Sequence, residues 1–445
     1  MFSRSIASER GLSKMGISKV YYEKDEFIEL PEEVLNNEVK VLKPQKIFLR
    51  KSIEELFEEA LRKPIGSKTI FEEKAKRIAL IFSDNTRIPS PYVPKIVETL
   101  KKITDDLKII VACGTHEPPS KEFVKKVLRE DLDYEYPVIF SSTKLSSSNY
   151  EFIGKTSRGT EFELNEELMD RDLIISSLCV RPHYFAGFEG GAKALIPGCS
   201  SHKSIVQNHS RVIGNRLAKE LIIKGNPVRE DINEAPSLLF NEKGIVHRII
   251  DFVADEKQQP FMLAYGEPVL THMRLAELCT EICTVKTNPS STIVTVADGP
   301  MGKTLYQSLK AYHMACNIAK QDTEKKSVVF LIASMEDGLG NEIFTKELIR
   351  YYGMPLQNTM KELKERAEKG DFNETLQKIN RIALDKEYTE LRILSPKAPN
   401  EVKKALDEVG IFFSRKPDEA FEDEKCKSDI AIIPYGSFTT PIPYE

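Results

Sequence analysis

The chain has no tryptophan, and it holds only seven histidines and seven cysteines among 445 residues. The cysteines, Cys113, Cys179, Cys199, Cys279, Cys283, Cys316 and Cys426, are odd in number and mostly scattered. They read as small buried hydrophobes of a reducing compartment rather than as a disulfide framework, so the expected location is cytoplasmic. Cys279 and Cys283 stand at helical spacing, but no second pair completes a metal site around them. No apolar run approaches the roughly 20 residues of a membrane span. The opening MFSRSIASERGLSK is basic without an apolar segment behind it, which does not fit a secretion signal. Neither sign of charge dominates, with 64 Lys and Arg against 68 Asp and Glu and a formal net charge of -4. Nucleic acid and membrane are therefore not the expected partners. Also missing are an HExxH zinc pattern and a G-x-G-x-x-G after an early strand, the usual mark of a dinucleotide site.

What is present is an α/β pattern. Hydrophobic residues make up 41% of the chain, enough for real cores in two or three domains. KVYYEK, FIEL and VKVLKP read as short strands, and SIEELFEEALRKP as a helix stopped by Pro64. RIALIFSD, DLKIIVACG and DLIISSLC are near-continuous apolar runs of the kind found in parallel strands buried on both faces. Between the first two lies the helical PYVPKIVETLKKI, and after the second comes SKEFVKKVL with Ser120 as its cap. A second alternating series begins near STIVTVADGP, continues through the helix TLYQSLKAYHMACNIAK and the strand KKSVVFLIAS, and becomes charged and helical from Arg350 to Lys386. The expected division is an N-terminal α/β domain over 1–275, a C-terminal α/β domain over 276–425, and a terminal segment over 426–445 whose strand DIAIIPYG returns to the first domain.

Chemistry concentrates just beyond three strand ends, where open α/β sheets collect ligands. SDNTRIPS places Asp84, Thr86 and Arg87 in one turn, and Arg87 is suited to a carboxylate or phosphate. GTHEPPS places His116 after the next strand, with Glu117 either orienting it or facing water. RPHYFAGFEGGAKALIPG carries His183, then Gly187, Gly190 and Gly191, then Lys193. The glycine spacing is not that of a Walker loop, and no Ser or Thr directly follows the lysine. Lys193 can neutralise phosphate or, with a lowered pKa, act as a nucleophile. His202 and His209 lie seven apart, on one face if helical, and imidazole suits nickel, zinc and iron alike. Gln307 and Lys310, three apart in LYQSLK, form an amide and an ammonium on one helix face. Each feature also has a plain structural reading as a turn, a solvated loop residue or the wet side of a helix.

Taken together, DNTR, GTHEP, RPHYFAGFEGGAKALIPG with NHS, and LYQSLK resemble the nickel-dependent lactate racemase family. The resemblance runs from Asp84 to Lys310. It implies two α/β domains with the active site in the cleft between them, and a nickel-pincer nucleotide as cofactor, delivered by cofactor biosynthesis proteins. By position, Lys193 matches the lysine joined to that nucleotide and His209 the nickel ligand. His116 and His183 match the paired acid/base histidines. Asp84, Thr86, Gly190 and Gly191 fall at the cofactor site, while Arg87, Gln307 and Lys310 match the residues that bind the substrate and its carboxylate. His202 has no counterpart role. The implied activity is racemisation or C2-epimerisation of a small 2-hydroxy acid by reversible hydride transfer from its α carbon to the cofactor through a 2-keto acid. Ile88 and Glu117 depart from the family pattern, as does DGPMGKTLYQ, so lactate itself is not implied and sugar acids enter as candidates. The alternatives are a cofactor-binding homologue without turnover and a hydroxy-acid oxidoreductase on the same architecture. Oligomeric state is not legible.

Overall fold

The computed structural model describes residues 18–47, 51–129, 136–423 and 428–444. The N-terminal stretch read for a secretion signal, and Cys426, lie outside the described residues.

The apolar runs RIALIFS and DLKIIVACG form adjacent parallel strands, Arg77–Ser83 and Asp106–Gly114. Both lie inside a six-stranded sheet ordered Pro260–Gly266, Val246–Ala254, Leu173–Ser177, Arg77–Ser83, Asp106–Gly114, Val138–Ser142. Neighbours are parallel except for the antiparallel pair at the 260–266 edge. Helix starts follow local chemistry. Ser52 closes a capping box on Ile53–Arg62, and the Ser120 hydroxyl accepts from the Phe123 N–H (3.2 Å) to open Lys121–Leu128.

From Arg77–Ser83 the chain adds strands outward on one side, then returns to add Leu173–Ser177 on the other. The carboxyl ends of these two strands therefore flank the point where strand order reverses, the natural place for a crevice.

A second six-stranded sheet is parallel throughout, ordered Phe412–Ser414, Thr389–Leu394, Ser327–Ile332, Thr292–Val296, Ile430–Ile433, Val39–Val41. Two sequence expectations change here. Strand Ile430–Ile433, expected to return to the first domain, pairs with Thr292–Val296 and Val39–Val41 instead. Its four residues are all buried, as its unbroken apolar run requires. The loop that follows reaches the first domain, through Arg181 donating to the Ser437 carbonyl and Phe438 packing near Val180 and Phe188. Val39–Val41 also places an early part of the chain on the second sheet, and the expected cut after residue 275 falls inside helix Pro268–Cys283, which packs on Val246–Ala254. Among the described residues, no helix is long and apolar enough to cross a membrane.

Candidate active site

A cavity of about 120 Å³ opens at the switch point of the first sheet, and helices of the second domain complete its wall. Asp84, Arg87, His116, His183, Gly190, Lys193, His209, Gln307 and Lys310 all line it. Thr86, Gly191 and His202 do not form part of that wall.

The turn after Arg77–Ser83 is built around Asp84, which is buried. One carboxylate oxygen accepts from the Thr86 N–H (2.9 Å) and hydroxyl (2.6 Å); the other lies 2.7 Å from His116 Nδ1. Burial pushes the Asp84 carboxyl up, but His116, Arg87 and the Thr86 hydroxyl outweigh it and hold it below its ordinary value. The carboxylate fixes Nδ1 as the protonated nitrogen and leaves Nε2 as a base. Asp84, not Glu117, is therefore the orienting group, and Glu117 is exposed. Thr86 acts from behind the wall, with its hydroxyl and carbonyl also accepting from Arg87 Nη1 (2.8 and 3.1 Å).

His183 lies in the two-residue strand Pro182–His183, paired with Gly187–Phe188. It is buried and packs against Tyr184 and edge-on to Phe185. Burial, followed by Lys193 and Lys310, holds its pKa well below the ordinary value. Its Nδ1 accepts from the Ala186 N–H at 3.3 Å, so the neutral ring presents Nε2–H. Lys193 follows in a short turn, half-buried, with its Nζ 5.8 Å from the Phe185 ring centre. Loss of hydration drives its pKa well below the lysine range; Glu189 opposes this, while Arg229, Arg87 and Lys310 add to it. The neutral amine is the nucleophilic form. His209 ends helix His202–His209, its pKa lowered to about 3 by burial and by Lys193. Its Nδ1 lies 3.2 Å from the Asn208 side-chain oxygen Oδ1, which leaves Nε2 with a free lone pair.

The glycines have a structural duty of their own. Gly191 has φ +66°, and a Cβ there would stand 2.8 Å from the His272 ring. Beneath the segment, Arg229 donates to the carbonyls of Ala186 (3.0 Å), Gly190 (3.3 Å) and Phe188. Asp251 accepts from the Gly191 N–H (2.6 Å) and the Leu178 N–H (2.9 Å), and His272 Nε2 donates to the Glu189 carbonyl (2.9 Å). These three supporting residues lie far along the chain, and no local pattern marks them.

Opposite, helix Leu305–Ala315 presents Gln307 and Lys310, both buried. The Gln307 side-chain carbonyl has no hydrogen-bond partner. Lys310 is pushed down to about 8 by burial and Arg87, against Glu189. Glu189, which sequence reasoning passed over, lies 3.2 Å from Lys310 Nζ and 3.2 Å from Arg87 Nε. Burial would raise its pKa, but Lys310 and Arg87 lower it to about 2. The available signal was a carboxylate inside the glycine-rich stretch. Helix Leu376–Asp385 adds Gln377 and Lys378, the latter donating to the Tyr306 carbonyl (2.7 Å) beneath the Tyr184 and Tyr306 rings. Glu374 also lines the cavity and accepts from His202 (3.1 Å), which gives exposed His202 an interdomain contact.

Residues from both α/β sheet units line one basic cavity with three histidines, the architecture of an α/β enzyme. A family profile described as the lactate racemase N-terminal domain matches residues 21–220. The lactate racemase of Thermoanaerobacterium thermosaccharolyticum is 31% identical over 305 residues, covering 66% of this chain and 68% of that protein. The lactate racemase of Lactiplantibacillus plantarum is 29% identical over 310 residues, covering 67% and 70%. In fold, the chain matches the T. thermosaccharolyticum lactate racemase apoprotein with a TM-score of 0.79 at 24% identity, over 96% of this chain and 99% of that one. A Thermotoga maritima protein gives 0.61 at 17% identity, over 89% and 100%. The chain belongs to the lactate racemase family and is an enzyme of the isomerase class.

Proposed function

We propose that the protein is a racemase or C2-epimerase of a 2-hydroxy acid that uses a nickel-pincer nucleotide. One observation carries this reading: His116 and His183, from separate strand ends, line one cavity together with Lys193 and His209. The donor set fits the cofactor. Among the described residues no group of three His, Cys, Asp or Glu is placed to hold a metal, but a pincer brings its own donors and asks for a single imidazole. His209 offers a free Nε2, and Lys193 a neutral amine. When bound, this group supplies a reversible hydride acceptor.

The chain's own residues do the rest. Arg87, Gln307 and Lys310 hold the substrate carboxylate and fix the α carbon between the histidines. His116, with Nδ1 held by Asp84, takes the hydroxyl proton at Nε2. His183 donates a hydrogen bond to the ligand oxygen from Nε2; to serve as base for the opposite enantiomer it gives up its long contact with Ala186 and carries its proton on Nδ1, leaving Nε2 to accept, and the proton taken by either histidine goes back to the same oxygen. The buried walls keep water from the planar keto acid.

Production in a host that makes the cofactor is expected to give a covalent adduct at Lys193 by intact mass and peptide mapping, together with interconversion of 2-hydroxy acid enantiomers or C2 epimers. Unmodified Lys193 from such a host, or an adduct with no isomerisation across a panel of 2-hydroxy acids, would overturn the reading.

A further inference from the structure

Glu189 raises a question that the clamp alone does not answer. The two cations expected to hold a substrate carboxylate, Arg87 and Lys310, already share one from the protein. The contacts recorded for both cations fall on Oε1; Oε2 takes no hydrogen bond among the described residues, although Glu189 lines the cavity. Lys310 and Arg87 keep the carboxyl ionised despite its burial. The clamp therefore carries less positive charge than its two cations suggest, and a free anionic acceptor stands beside it. Across the same cavity, the side-chain carbonyl of Gln377 is buried without a partner. A ligand with a single carboxylate and no further polar group would leave both acceptors unpaired, which is costly in a buried site. A second carboxylate would meet Glu189 as a like charge.

We propose that Glu189 is a specificity-determining residue whose free oxygen accepts a hydrogen bond from a substrate hydroxyl beyond C2, so that the enzyme selects polyhydroxy monocarboxylates over lactate-like acids and dicarboxylates. The proposal rests on the racemase or epimerase reading for the position of the ligand carboxylate. Gln377 is the second acceptor for such hydroxyls. Hydrogen bonds to charged groups are worth about tenfold to a hundredfold in affinity, which sets the expected discrimination.

The test uses the cofactor-loaded enzyme with gluconate, lactate and malate as probes, reading binding by calorimetry and turnover separately. The wild type is expected to bind gluconate at least about tenfold more tightly than lactate, with malate weakest. Glu189→Gln keeps the shape, frees the two cations and removes the anionic acceptor. It is expected to cut the gluconate-to-lactate affinity ratio about tenfold or more and to improve malate binding, acting on KM more than on kcat. Glu189→Asp, which retains the charge on a shorter arm, is expected to fall between the two. Equal wild-type affinity for lactate and gluconate, no binding of any probe, or a ratio unmoved by Glu189→Gln would overturn the proposal. Lactate racemisation without gluconate preference would sink this inference and leave the functional reading intact. Selective gluconate binding without isomerisation would do the reverse.

Discussion

Replacing Asp84 by asparagine tests the proton-handling half of the site. Asp84 is buried, and its two oxygens serve different partners: Thr86 on one side, His116 Nδ1 at 2.7 Å on the other. An asparagine that keeps its carbonyl toward the Thr86 N–H must turn its NH2 toward Nδ1. That makes Nδ1 the acceptor and puts the proton on Nε2, so His116 loses its base form. General acid–base contributions of this kind are worth about 100- to 10,000-fold, and kcat is expected to fall within that range while KM changes little. The buried charge-assisted contact contributes about 1.5–3 kcal/mol of stability. Because the folded Asp84 pKa is depressed, this contribution is complete above the unfolded value near 3.9 and fades as pH falls through the folded value. Urea denaturation at pH 7 and near pH 3 is expected to show the gap between wild type and Asp84→Asn closing at the acid end. Undiminished kcat in a variant that retains the cofactor would refute the role given to the pair, and a pH-independent gap would refute the electrostatic account.

Gly191→Ala forces a left-handed backbone on a residue with a Cβ, costing about 1–2 kcal/mol, and drives that Cβ into the His272 ring; a larger loss is expected in chemical denaturation. Arg229→Met leaves the carbonyls of Ala186, Phe188 and Gly190 without their donor; at about 1 kcal/mol or more each, the variant should lose at least about 3 kcal/mol. His209→Ala is expected to abolish bound nickel by metal analysis. His202→Ala, which removes only an exposed partner of Glu374, should retain nickel and lose no more than about 1 kcal/mol. With Lys310 lowered to about 8, the ammonium discharges as pH rises through that value, so KM for a carboxylate should climb above about pH 8. Stability rises over the same window, from about pH 8 to about 10.4, because the unfolded lysine still holds the proton that the folded one has lost.

The strand-end loops were the most legible part of the site, because a buried parallel strand is a continuous apolar run and its end is marked by the first polar residues. Asp84, Arg87, His116 and His183 were found that way, and they do share one cavity. Lys193 and His209 stood out by residue type and neighbours. The groups that escaped notice act through tertiary contact. Arg229 sits inside helix Pro227–Lys243, where an arginine looks like solvated surface, yet it is fully buried under the glycine segment. Lys378 belongs to a charged stretch that reads as an exposed helix, but it is buried between two tyrosine rings. The strand Ile430–Ile433 had the right local character for either sheet, and only the pairing partner decided which. Periodicity reports burial; it does not report the neighbour.

The two domains contribute groups with different requirements. In the first, Lys193 and His183 belong to a segment whose backbone is clamped from below by Arg229, Asp251 and His272. In the second, Gln307, Lys310 and Lys378 lie on two helices that reach the cavity only across the interface. Arg381 bridges that interface by donating to Glu220 (3.0 Å) and to the Tyr184 carbonyl (3.4 Å), and Lys310 bridges it through Glu189. Glu189 therefore has one cationic partner in each half, Arg87 in the first and Lys310 in the second. A carboxylate entering the clamp competes with Glu189 for both, and an acid that repays the competition with a hydroxyl on Oε2 is favoured over one that cannot. Selection in this cleft thus follows from where one side-chain carboxylate sits between Arg87 and Lys310.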